Sequence, residues 1–206
     1  LVHRATRGAG LSWGLAEEAA KGARALAMAW PACLRLVADV LEAGHAGRLS
    51  RRVALEGSAW RAADDLPIDP LVLGPSLLDH SGLLGDGCLE IEGPISAPAL
   101  LLPFLTAAAR GVAGTLTVST DRGTAELSGD AAIGIVPEAL AGEVRWLRLS
   151  RSGAAASTTS AARPAVAAVC LPHALKRRFE AFSALTFVPF SFCSRRGAGA
   201  GLSDND

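Results

Sequence analysis

The chain predicts an α+β fold: N-terminal helices, a central mainly antiparallel sheet, one C-terminal helix and an extended tail. Three observations carry that reading. Apolar residues recur at helical steps through the first third of the chain. The middle holds alternating and Thr-rich runs broken by turn residues. Apart from a proline-opened helix over 98–110, a helical pattern returns only at 172–185. Helices and strands segregated along the chain argue for α+β over a repeating βαβ sheet.

The elements follow in order. Leu11, Leu15, Ala19, Leu26 and Trp30 share one helical face over 11–30, and Pro31 interrupts. Glu17 and Lys21 stand four apart on that helix in the favourable order for a surface pair. A second helix fits 32–43, with Leu34, Val37 and Leu41 on one side and Gly44 as its stop. A third is expected over 50–63, opening on an Arg-rich start (Arg48, Arg51, Arg52). Pro67-Ile68-Asp69-Pro70 reads as a turn or extended passage, and 71–87 mixes apolar residues with glycines. Residues 88–92 alternate like a half-buried strand. A helix over 98–110 opens at Pro98, is expected to kink at Pro103 and closes at Gly111. Residues 115–120 and 124–129 flank Asp121-Arg122-Gly123 as a hairpin, and 133–136 and 143–150 add two strands. The last helix covers 172–185, with Phe179 and Phe182. This gives one α+β domain over 1–151, an Ala/Ser/Thr-rich linker or loop over 152–168, and a C-terminal helix with a Gly-rich tail over 169–206, docked on the first domain.

Composition excludes several classes. The 206 residues are half apolar, enough for a substantial core. Net charge is zero, which gives no electrostatic reason to expect nucleic acid or an anionic membrane. Only Lys21 and Lys176 supply lysine, and Tyr is absent. With Ala, Gly, Arg and Leu dominant, the usage reads as GC-rich coding in a bacterium. Cys33, Cys88, Cys170 and Cys193 form no CxxC pair, so a zinc ribbon or thioredoxin motif is out. Scattered cysteines without an export signal fit a reducing cytoplasm. No uninterrupted apolar run reaches membrane-spanning length, and the stretch 161–171 is broken by Arg163 and Pro164. The chain opens at Leu1, so the true start is expected to be missing.

One phrase occurs near both ends: Arg7-Gly8-Ala9-Gly10-Leu11-Ser12, and Gly197-Ala198-Gly199-Ala200-Gly201-Leu202-Ser203 followed by Asp204-Asn205-Asp206. With Trp13-Gly14-Leu15-Ala16-Glu17-Glu18-Ala19 these strings resemble a family of small bacterial proteins classed as a domain of unknown function. The resemblance implies no activity, cofactor or catalytic residue.

Gly8, Gly10 and Gly14 precede a helix, whose N-terminal amides can hold a phosphate. A dinucleotide fingerprint also needs a preceding strand, which residues 1–7 do not supply, so tight packing is the plainer reading. Gly14, Glu18 and Gly22 lie on one helical line, which makes Glu18 a carboxylate on a narrow face. The plainer reading is a structural pair with an arginine elsewhere. The tail offers Asp204 and Asp206, oxygen ligands for a hard cation, and a frayed polar terminus is the plainer reading. The repeat of the N-terminal phrase favours a docked tail instead, and no metal is expected. Asp79, His80, Asp86 and Cys88 are neighbours in sequence that usually point apart, and no hydrolase, zincin or P-loop signature occurs.

The candidate ligand-binding residues are therefore Gly8, Gly10, Ser12, Gly14, Glu18, Gly199, Gly201, Ser203, Asp204 and Asp206. The reading is a soluble, non-catalytic accessory or interaction protein with a protein partner. A small-molecule binder with its pocket between the Gly-rich motif and the tail is the alternative, and an enzyme using Glu18 with a second carboxylate is the third class.

Overall fold

The computed structural model describes residues 1–56, 59–84, 87–112, 114–129, 136–152 and 169–187. Six helices occur there: α1 (Val2–Gly8), α2 (Trp13–Ala27), α3 (Cys33–His45), α4 (Pro70–Asp79), α5 (Leu102–Gly111) and α6 (His173–Ala184). Their limits follow from local chemistry. The Ser12 hydroxyl caps α2 by accepting the Leu15 amide at 3.4 Å. The Asp69 carboxylate caps α4 by accepting the Leu71 amide at 2.9 Å, and Pro70 takes the first helical position.

The six strands are β1 (Val53–Glu56), β2 (Ala59–Ala62), β3 (Cys88–Ile95), β4 (Thr115–Thr120), β5 (Gly123–Ser128) and β6 (Val144–Ser152). They form one sheet in the order β1-β2-β3-β6-β4-β5. The β2–β3 pair is parallel and every other pair antiparallel. The last strand in sequence thus lies at the centre, hydrogen-bonded to β3 and β4.

Alternation assigns the two faces. Leu89, Ile91, Leu116, Val118, Leu147 and Leu149 are buried in the same core as Leu26, Leu41, Leu77 and Leu105 of the helices. The opposite face carries Glu90 opposite Arg148 and Glu92 opposite Trp146. Arg148 donates to Glu90, and Arg61 pairs with Glu92 at 2.6 Å. One face buried and one charged is usual for an antiparallel sheet. Within the helical layer the Phe104 ring is wedged between α2 and α4. A methyl group at Gly22 would come within 2.8 Å of it, and one at Gly74 within 2.3 Å.

The α+β class stands as read from the sequence. The helix expected over 50–63 is instead the β1–β2 hairpin, with β-branched Val53 opening β1 and Trp60 buried on β2. Residues 1–7, to which no element was assigned, open the chain as α1. Gly44 lies inside α3, which runs on to His45. Pro103 does not kink a helix. A 3₁₀ turn (Pro98–Leu101) precedes α5, so Pro103 falls in the first turn, where its missing amide costs nothing. The strand expected over 143–150 is β6, and the hairpin over 115–129 is β4–β5. Of the strand expected over 133–136 only Val136 is described, and it is not in a strand. The linker over 152–168 lies outside the described residues, apart from Ser152, which ends β6.

Candidate functional site

The N-terminal glycines are spent on close packing. Gly8 ends α1, and a Cβ there would lie 1.7 Å from the Phe182 carbonyl oxygen of α6. Gly10 has φ +100°, which turns the chain from α1 to α2. The space beside it holds Arg51, whose Nη1 would lie 3.3 Å from an added Cβ.

Arg51 organises this end of the molecule. Its Nη1 donates to the Ala9 carbonyl at 2.7 Å, and its Nε donates to Asp69 at 3.0 Å. Gly44 of α3 supplies the room, since a Cβ there would meet Nη2 at 2.4 Å. One guanidinium therefore ties the α1–α2 turn to the cap of α4 and packs against the end of α3. Asp69 is fully buried. Burial pushes its carboxyl above the ordinary carboxylate range, against the opposing pull of Arg51 and the Leu71 amide. Of the Arg-rich run, Arg48 and Arg52 are exposed while Arg51 points inward, so the three share no basic face.

Glu18 pairs with Lys21, not with an arginine: Lys21 donates to it at 2.8 Å and also pairs with Glu17 at 3.0 Å. The hydrogen bonds that Lys21 donates to Glu18 and then Glu17 raise its ammonium above its ordinary value, and Lys21 holds Glu17 below the usual carboxylate range. The one carboxylate these pairs bring near Glu18 is its neighbour Glu17, across the shared Lys21 ammonium.

The open side of the same motif is Gly14, with nothing within 4 Å of an added Cβ. It lines a shallow groove of about 380 Å³ with His3, Trp13, Glu17, Ala20, Lys21 and Arg24. Trp13 is 69% exposed. The Arg7 guanidinium stacks over its ring at 4.5 Å and the His3 ring leans against it at 5.8 Å. Arg7 is held in that pose by donating Nη1 to the Leu11 carbonyl. Arg24 makes no ion pair among the described residues.

The other sequence candidates do not come together. His80 lies against Trp60, its Nδ1 2.9 Å from the Ser76 carbonyl, while Asp79 is exposed at the end of α4. Cys88 is half-buried on β3, and Asp86 lies outside the described residues. Gly199, Gly201, Ser203, Asp204 and Asp206 also lie outside them. Among the described residues no three His, Cys, Asp or Glu side chains are grouped to hold a metal, and no helix is long and apolar enough to cross a membrane.

Sequence reasoning missed two anchors. Arg51–Asp69 had a local signal, because an Asp-Pro pair before an apolar run marks a helix cap. Arg178, which donates to Asp39 and Glu42 of α3 at 2.6 Å each, had none. Its partners are more than 130 residues away.

No curated protein and no solved structure matches the chain. The stretch holding Arg51, the glycine phrase and the Trp13 groove does have a match: residues 1–60 are similar to the family described as Protein of unknown function (DUF3726).

Proposed function

We propose that the chain is a non-catalytic interaction module. The observation that carries this reading is where its candidate acids stand. Glu18 is tied to Lys21, Asp69 to Arg51, Glu90 to Arg148 and Glu92 to Arg61. A general acid–base pair needs two titrating groups aimed at one substrate position. Here each of the four is engaged with a cation, Glu18 sharing Lys21 with Glu17. The exposed aromatic side chains Trp13, Trp146 and Phe187 are the type of anchor an interaction surface uses. Helix α6 is read as an appendage docked on the main body, through Phe179 in the core and Arg178 on α3.

The second reading, a small-molecule binder, draws on the groove beside Gly14. Native mass spectrometry of the full chain, beside a form lacking 204–206, separates the two. The interaction module travels bare in both forms. A co-purified small mass lost on truncation would overturn it in favour of the binder.

A further inference from the structure

We propose that the groove formed by Trp13, Gly14, Lys21 and Arg24 seats the chain's own acidic end, Asp204 to Asp206. This goes beyond the non-catalytic reading and does not depend on it, because it concerns where a segment sits and not what the protein acts on.

Three observations converge. First, the described chain leaves from α6 next to the motif. Phe182 lies against Gly8, and the last described residue, Phe187, is five positions further on. Helix α1 contacts both α6 and α2, so the exit and the groove flank one helix, a separation on the order of 10–20 Å. The 16 residues from 188 to 203 span up to roughly 50 Å when extended, ample for that distance. Second, the glycines at the turn itself are taken. Phe182 fills the space at Gly8 and Arg51 the space at Gly10, whereas Gly14 faces open space. A segment meeting the N-terminal motif has the Gly14 side available.

Third, the groove holds an open cation. Arg24 has no ion-pair partner among the described residues, while the Lys21 ammonium one turn before it is already shared by Glu17 and Glu18, so a tail carboxylate reaches Arg24 first and Lys21 as a neighbour. Asp204 and Asp206 supply two carboxylates with one residue between them. The groove carries a negative charge as well, Glu17, and the tail carries Arg195 and Arg196. Tethering places the tail near the groove at high effective concentration, so weak contacts suffice.

The test exploits a property of the composition: Lys21 and Lys176 are the only lysines. Treating the full chain with a carbodiimide joins carboxylates to lysine amines that touch them, and peptide mass spectrometry locates each link. The expected result is a link from Lys21 to Asp204 or Asp206, with a yield unchanged on tenfold dilution and reduced several-fold by Arg24→Glu. Links from Lys21 to Glu17 or Glu18 report in the same sample that α2 is intact. Tail carboxylates linked only to Lys176, or not linked while the α2 links form, overturn the proposal. Links joining heavy- and light-isotope copies overturn it too, and make a second copy the occupant. A second readout requires no chemistry on the groove. In the full chain labelled with 5-fluorotryptophan, Asp204→Asn/Asp206→Asn shifts the ¹⁹F resonance of Trp13 and leaves those of Trp30 and Trp60 in place. An unmoved Trp13 signal counts against a docked end.

Discussion

Gly8 and Gly14 belong to one phrase and have opposite roles. At Gly8 an added methyl collides with backbone of α6, which has no rotamer with which to yield. Gly8→Ala is expected to destabilise the fold by about 3 kcal/mol, the upper end for overpacking. Gly14 stands in the first turn of an exposed helix with free space around it. Gly14→Ala is expected to stabilise by about 0.5–1 kcal/mol through helix propensity alone. Urea melts of both variants check the pair, and equal signs would contradict it. Arg51→Met leaves the Asp69 carboxylate buried without its cation and is expected to cost about 3 kcal/mol. Asp69 also has a pH signature. A carboxyl held above its ordinary range binds more proton folded than unfolded, so stability falls as pH rises from the ordinary range through the raised value. Asp69→Asn removes that slope, which denaturation at a series of pH values measures. Burial pushes the Cys33 thiol up to about 12, so iodoacetamide is expected to modify exposed Cys170 in the native protein and spare Cys33 until unfolding. At this scale the sequence was partly legible. The line Gly14–Glu18–Gly22 lay on the helix as read, but the partner of Glu18 was its own neighbour Lys21. Spacing cannot reveal which distant arginine turns inward, and Arg51 did.

Among the elements, α6 is legible in its own sequence, but what fastens it to α3 is not. Its hold on α3 is one guanidinium shared by two acids, all partly exposed, so Arg178→Ala is expected to cost roughly 1 kcal/mol. Arg178 holds the Glu42 carboxyl below the usual carboxylate range. That contribution is complete above the ordinary range and is lost as pH falls through the depressed value. Hydrogen exchange is therefore expected to show α6 amides opening faster relative to β6 in acid, and Arg178→Ala to erase most of the difference. Elements with a strong period or a turn signature were legible: α2, α3, the β4–β5 hairpin and α6. The stretch 50–63 is the β1–β2 hairpin and not a helix, and its Arg-rich start, Arg48, Arg51 and Arg52, carried no signal of the difference. One of those side chains is fixed by a tertiary pair that no local window contains. Helix α1 was missed because its seven residues bury only Ala5 and Thr6, too few to set a pattern.

For the whole molecule, the helices cover one face of the sheet and leave a charged face open. Protection is expected to be greatest in β3, β6 and β4, each flanked on both sides, and least in the edge strands β1 and β5. Exchange rates resolved by strand check that gradient. The α+β class was legible from the segregation of patterns, but the parallel β2–β3 pair and the strand order were not. They depend on which edge a late strand chooses, and alternation specifies a face and not a neighbour. The N-terminal half of the candidate site was legible as a motif. Its division into a filled side at Gly8 and Gly10 and an open side at Gly14 required the fold.

The central position of β6 has a consequence for how the protein is made. A ribosome delivers β1 to β5 first, and at that stage the sheet exists as two separate pieces, β1-β2-β3 and β4-β5, each with an unpaired edge facing the other. Only when Val144 to Ser152 emerge can the two be joined. The nascent chain must keep two sticky borders apart from the completion of β5 at Ser128 until β6 emerges, and a chain cut short before Val144 is expected to aggregate.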